Sequence, residues 1–491
     1  MHQKLKLNLK AVVEAIVLVG LFFFAFEAVA RNPEQREIAT LYFEQNPIDK
    51  MDENYIRANG DKLIPPFDFN HHDYYAVSMN TLRPIEISVG SETQTVNLNE
   101  LSSNTYISIH VGKSVYKLFT AMPGLPSYKF KSADDYHGYL YITPSSMSLE
   151  VPAYAYIIDE AGKLVYYRAN ETPPWTMANL NKHVLKNGKV RYSVFRQFNN
   201  ITPQAFFFGE EIIMDENFKV IDRLQLMPHN GRPAYPVENH AFVMPDDKHY
   251  IITGYYYATD YQVPWKNKKI VVPVIQEIKD GQLIFEWVGS DYPELFETCM
   301  EDCNHPDLDH HQDYLHLNSV TVDPKDENLI VSFAHSSQVI KINRLNGKIM
   351  WKLGGVSDDF NLTDEQFFLR QHDARMTKDG YLVLFDNRFP NPKIRTRLNE
   401  PKVAHNLYNS RLLALKLDEE NKKVVDFKEF NLGQSVHFMG SYQPLANGRF
   451  FIGFGSNRDI AAKELDESHT EYMSLSFNKP YTSYKAYKYE R

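Results

Sequence analysis

Cysteine is nearly absent from this sequence: Cys299 and Cys303 are the only two in 491 residues. At most one internal disulfide is available. Long amphipathic segments of helical period are scarce, which argues against a helical solenoid. No glycine-rich loop of the kind that cradles nucleotide phosphates occurs anywhere. A concentrated basic face is missing too, and the formal net charge of −9 argues against a nucleic-acid partner. An ordinary soluble protein carries the same charge.

What the chain has in quantity is aromatic residues, 13% of the total, with 31 Tyr and 31 Phe. Rings pack well on pleated surfaces and favour β structure. Residues 313–355 show the pattern in full: SVTVD (319–323), NLIVSFA (328–334), QVIKIN (338–343) and KIMWKLG (348–354) are short apolar or β-branched runs. Turn clusters separate them, and Asn346-Gly347 supplies the positive φ a tight hairpin needs. Four antiparallel strands in about forty residues make a meander sheet. The first half of this unit recurs at 240–254, 372–387 and 441–455. The second half recurs at 155–168, 211–226, 274–289, 412–433 and 471–489, giving six copies with 339–355. This spacing predicts an all-β chain whose main body, residues 131–491, is a six-bladed β-propeller of four-stranded blades.

Ahead of it, Lys4, Lys6 and Lys10 precede an apolar run over 11–30 that ends in Ala28-Val29-Ala30. The run reads as a signal peptide or a retained single-pass membrane anchor, and either places the rest of the chain outside the cytoplasm. Pro47, Pro65 and Pro66 make 31–75 read as a connecting region, and 76–130 alternate as a small β-domain. Residues 31–130 together form the expected linker and β-domain.

Three histidines, His240, His316 and His372, stand at the head of the first strand in three successive units. Innermost strands line a propeller's axis, so these imidazoles should converge there. A repeat can also reuse histidine simply to cap a loop by hydrogen bonding. Arg375, Arg388 and Arg411 accompany them, with Arg395 and Arg397 in the 388–411 insertion, where a solvated loop is the plainer reading. Arginine's planar fork suits a sulfate or phosphate oxyanion. Cys299 and Cys303 read as a disulfide in an oxidising compartment; the rival is a metal site with His305, His310 and His311, whose spacing does not match a known ligand pattern.

The run H-x-N-S, then D-P-K-D-x-N-L-I-V-S, then H-S-S-x-V-I-K-I-x-R-x-x-G-K-I-x-W-x-L-G-G resembles the bacterial arylsulfate sulfotransferases (316–355). QHDARMTKDGYLVLFDNR (371–388) resembles that family's second histidine block, and MGSYQPLANGRFFIGFGS (439–456) its last blade. The resemblance spans roughly 135–490 and is most specific over 313–388. It implies an exported six-bladed propeller that moves a sulfuryl group from an aryl sulfate to a hydroxyl acceptor through a sulfohistidine, with no cofactor, metal or nucleotide donor. By position, His316 and His372 match family histidines that hold the sulfate, Arg388 matches the family arginine, and His437 is the nearest candidate nucleophile. His240, Asn318, Arg375 and Arg411 are the expected substrate-binding residues. The sequence departs from the family where the last unit carries Tyr442 and Gln443 at its first-strand position, and where Asn239 precedes His240. The resemblance implies a periplasmic location, free or anchored to the inner membrane. The alternative is an exported propeller that binds anions or scaffolds an envelope system without catalysis.

Overall fold

The computed structural model describes residues 35–44, 52–146, 151–170, 176–198, 202, 205–258, 270–300, 312–388 and 409–490. The expected leader segment, Cys303, His305, His310, His311, Arg395 and Arg397 lie outside these residues. Among the described residues no helix is long and apolar enough to cross a membrane. The chain divides into two compact units, with the border between Leu125 and Pro126.

The first unit is a single run of eight hydrogen-bonded strands. Its order is Arg36–Phe43, Thr105–Val111, Ser114–Phe119, Asp73–Ala76, Asp61–Ile64, Ile56–Ala58, Ile85–Val89 and Glu92–Val96. The outermost two strands approach each other, and Gln94 Nε2 donates to Tyr42 O at 2.5 Å. This corrects the reading of 31–75 as a connection, because four of the eight strands lie there. Proline breaks a helix, but strands of three or four residues fit between prolines without losing a ladder bond.

The second unit is a six-bladed propeller. Blade four is the unit picked out from sequence: Leu317–Val322, Leu329–Phe333, Gln338–Ile342 and Ile349–Gly354 pair in that order. Its two middle strands are buried at every position, since neighbouring blades cover both faces. Each Val, Leu or Ile so covered contributes roughly 1.5–3 kcal/mol. Gly347, at φ 77°, closes the outer hairpin. Blade five runs His372–Met376, Tyr381–Asp386, Arg411–Asp418 and Lys423–Asn431, and its outermost strand is largely exposed. Blades two and three start with Met177–Val184 and Phe242–Asp246. Adjacent blades are tied by polar contacts: Asn318 Nδ2 donates to Gln371 O at 2.6 Å. Fully buried Lys341 reaches from blade four to Asp323, Asp326 and, on blade five, Glu419, at 2.6–2.8 Å. The Trp351 indole donates to the same Glu419 at 2.8 Å.

Ring closure differs from the sequence expectation. Residues 471–489 were expected to form the outer hairpin of the last blade. Instead Glu471–Phe477 belongs to blade six, whose inner strand is Ser441–Pro444, while Thr482–Tyr489 crosses over as the innermost strand of blade one. There it pairs with Tyr139–Ser145. Tyr128–Ser132 in turn adds an outer strand to blade six, against Glu471–Phe477. Blades one and six are thus each completed by a strand from the opposite end of the unit, which ties its two ends together.

Candidate functional site

The six innermost strands start at one end of the axis, and side chains along a strand alternate in direction. Asn179, Asn181 and His183 therefore share a face of their strand, as do Asp373 with Arg375, and Lys485 with Tyr487 and Tyr489. All eight line one axial cavity of about 340 Å³, together with His240 and Gln443.

At the head of these strands the imidazoles meet. The His240 and His316 rings are 4.9 Å apart and nearly perpendicular, and His335 stacks on His316 at 4.6 Å. Tyr484 sits 5.6 Å from His240 and 6.4 Å from His372. His240, His316 and His372 are brought together as the repeat predicted.

Two of these rings are backed in the same way. Glu238 accepts from both the backbone N–H of His240, at 2.9 Å, and its Nδ1. Asp313 accepts from the backbone N–H of His316 at 2.8 Å and from its Nδ1 at 2.7 Å. Burial pushes the Asp313 carboxyl up, but His316, His335 and these hydrogen bonds together hold it below its usual range, so it is ionised. A carboxylate at Nδ1 fixes the tautomer, turns Nε2 to the site and stabilises an imidazolium when one forms.

His372 is backed by an amide. Its Nδ1 donates to Asn387 Oδ1 at 2.7 Å, with Arg370 O at 3.1 Å, and its Nε2 accepts from the Met439 N–H at 3.2 Å. Asn387 presents its oxygen because its Nδ2 is committed to Val436 O and Met439 O. Burial, reinforced by the neighbouring His240, His316 and Lys485, depresses the His372 pKa well below 6.5 despite the Asn387 bond. His372 is thus a neutral imidazole with a lone pair on Nε2. Asn179, His316, Asp373 and Met439 all hold φ between 55° and 67°. Left-handed backbone at non-glycine residues costs roughly 1–2 kcal/mol each and concentrates at functional sites.

Other expected site residues are placed differently. Arg411 is fully buried in blade five, where Nε donates to Asp386 at 2.9 Å, Nη1 to Glu365 O and Nη2 to Phe367 O, both at 2.7 Å, with Glu429 also on Nη1. Four of its five N–H donors are engaged inside the blade: this arginine pins the blade. Arg388 lies beside it, 3.5 Å from Asp386 and 3.7 Å from Glu429. Asn318 is the interblade tie already described. His437 is exposed, on the connection from blade five to blade six. Cys299 is buried and caps a short 3₁₀ turn, Pro293–Thr298.

Sequence reasoning missed Glu238, Asp313, His335, Asn387, Tyr484 and Lys485. A signal for the first two existed: a carboxylate stands two or three residues before the histidine in both units. Asp313, His316 and His335 each offer one ligand atom within 4.8 Å of the others, a set of two imidazoles and a carboxylate that could hold a transition-metal ion.

Imidazoles from successive blades, gathered where the inner strands begin, define an axial-site β-propeller. The arylsulfotransferase (ASST) family model matches residues 183–478, more than half of the sequence, and the chain belongs to that family. No curated protein matches the sequence. Among solved structures, a protein of unknown function from Bacteroides caccae is 11% identical, with a TM-score of 0.42 over 72% of this chain and 100% of that one. A streptogramin B lyase structure is 10% identical, with a TM-score of 0.34 over 72% of this chain and 98% of its own. Likenesses this remote carry no argument about function.

Proposed function

We propose that this chain moves a sulfuryl group from an aryl sulfate ester to a phenolic or other hydroxyl acceptor, with an imidazole as covalent carrier. Family membership supports arylsulfotransferase activity in general. The observation that carries the finer reading is the asymmetry of the cluster: one neutral imidazole beside two carboxylate-backed ones. His372 is the group best suited to attack, ahead of the exposed His437 expected from sequence. Its Nε2 attacks sulfur, the S–O bond to the aryl group breaks, and the phenolate leaves with a proton from the His316 or His240 imidazolium. Donor binding displaces the Met439 N–H from Nε2 and frees it to donate to a sulfuryl oxygen. In the second half the imidazole of His316 or His240 that gave up its proton takes the acceptor's proton, the acceptor oxygen attacks sulfur, and the S–N bond breaks, returning its electron pair to His372 Nε2.

The purified full chain, given a chromophoric phenyl sulfate, should release the phenol faster when an acceptor phenol is added. Mass spectrometry of protein quenched without acceptor should find the added sulfuryl group on a peptide containing His372. Absence of both release and adduct would favour the anion-binding or scaffolding reading. We place the protein outside the cytoplasm, free in the periplasm or held at the inner membrane, on the basic and apolar pattern of residues 1–30.

A further inference from the structure

The axial cavity beyond the histidine tier holds two cations that the sulfuryl chemistry does not use. Arg375 and Lys485 line it on facing strands of blades five and one. Among the described residues Asp373 is the only carboxylate lining the cavity, and it is heavily engaged. Tyr487 Oη donates to it at 2.7 Å, the Tyr442 N–H at 3.0 Å, and Arg375 Nη2 is also bonded to it. Lys485 Nζ stands 3.7 Å from that carboxylate and donates to His240 O at 3.2 Å. Glu238 and Asp313 are taken up by their own histidines.

A buried polar atom remains without a protein partner at this place. Arg375 Nε is buried and bonded to nothing, although its side chain is 26% exposed, in the cavity it lines. An unsatisfied buried donor on a charged guanidinium is costly, and the natural remedy is an acceptor-only ligand. The Tyr487 ring faces the guanidinium, 5.3 Å from ring centroid to Cζ, a cation–π contact. Burial also depresses the Lys485 ammonium, a penalty that a nearby anion would offset.

We propose that this cavity is a second oxyanion site, in which Arg375 Nε and Lys485 Nζ grip the sulfate or carboxylate group of a small ligand. A volume of about 340 Å³ admits the anion with an aromatic ring attached. The site adjoins the histidine cluster through His240, which lines the same cavity, and it can be occupied whether or not His372 is the carrier.

Two arms test it on the full chain. Crystals soaked in selenate would show the selenium by anomalous scattering. A peak within hydrogen-bond reach of Arg375 and Lys485 supports the proposal; a peak only beside His316 and His372, or no peak together with no benzoate effect in solution, overturns it. In solution, selenate or benzoate at ten times its dissociation constant should raise Tm by about 1–2 °C over sodium chloride of equal ionic strength. Arg375→Gln and Lys485→Met should each abolish that rise, and a rise surviving in both variants overturns the proposal. Should either variant fail to fold, the selenium position decides. A benzoate effect without a selenate effect assigns the site to organic carboxylates, and the reverse to inorganic sulfate.

Discussion

His372 Nδ1 donates to Asn387 Oδ1 at 2.7 Å, where the equivalent rings of the two preceding blades face Asp313 and Glu238. One atom of difference, amide nitrogen for carboxylate oxygen, separates the backing of the neutral His372 imidazole from that of the other two rings.

Asn387→Asp should place a carboxylate behind the carrier and favour its protonated form. Transfer near pH 7 should fall by about 10–100-fold, a common result of altering a group behind a key imidazole. The His372 pKa is depressed in the wild-type fold, so its neutral form and the activity persist below the ordinary histidine range. In the variant the activity should appear only as pH rises above that range. A pH–rate profile checks this; an unshifted profile would rule out His372 as the carrier.

Removing the ring itself separates the two candidate carriers. His372→Asn should lower transfer by at least about a thousandfold. His437→Asn should change it by less than about threefold, because an exposed side chain on a blade connection has no barrier to lower. His316→Asn should cost about 100–1,000-fold, the usual loss when one electrostatic stabiliser is removed. Steady-state rates with a chromophoric donor distinguish these, and a silent His372→Asn would return the role to His437.

Much of this arrangement was legible beforehand. Asn346-Gly347 and the apolar runs around it marked blade four, and the spacing of His240, His316 and His372 marked the axis. Lys485 and Tyr484 were not legible, because a strand that crosses from the end of the unit to its first blade reads locally like any outer strand. Arg411 was misread for a different reason: buried and solvent-facing arginines look alike until their acceptors, here Asp386 and two carbonyls, are known. The first unit was only half seen, since Asp61–Ile64 and Ile56–Ala58 are too short to show period-two alternation.

Lys341 offers a stability test away from the axis. With Asp323 almost wholly buried beside it, Lys341→Met leaves an unpaired interior carboxylate. Stability should drop by about 3–5 kcal/mol. Adding Asp323→Asn should recover part of that loss, and urea unfolding of the single and double variants measures both. Equal loss in the two would mean the pair is not coupled.

The expected pairing of Cys299 with Cys303 is checked by intact mass and thiol labelling of the purified protein. Denatured, non-reduced material should bind no thiol reagent, and reduction should expose two reactive groups. Two labels before reduction would overturn the pairing.

Because Thr482–Tyr489 is the axial strand of blade one, the first blade a ribosome makes is also the last to be finished. Tyr484 and Lys485 reach the axis only with that strand. Until then blades two to five can stack, but the axial site has a missing wall and blade one a bare edge open to any strand. Ring closure and site completion are thus a single event in the life of the chain. A premature stop near residue 480 would cost the protein its chemistry and its solubility at the same step.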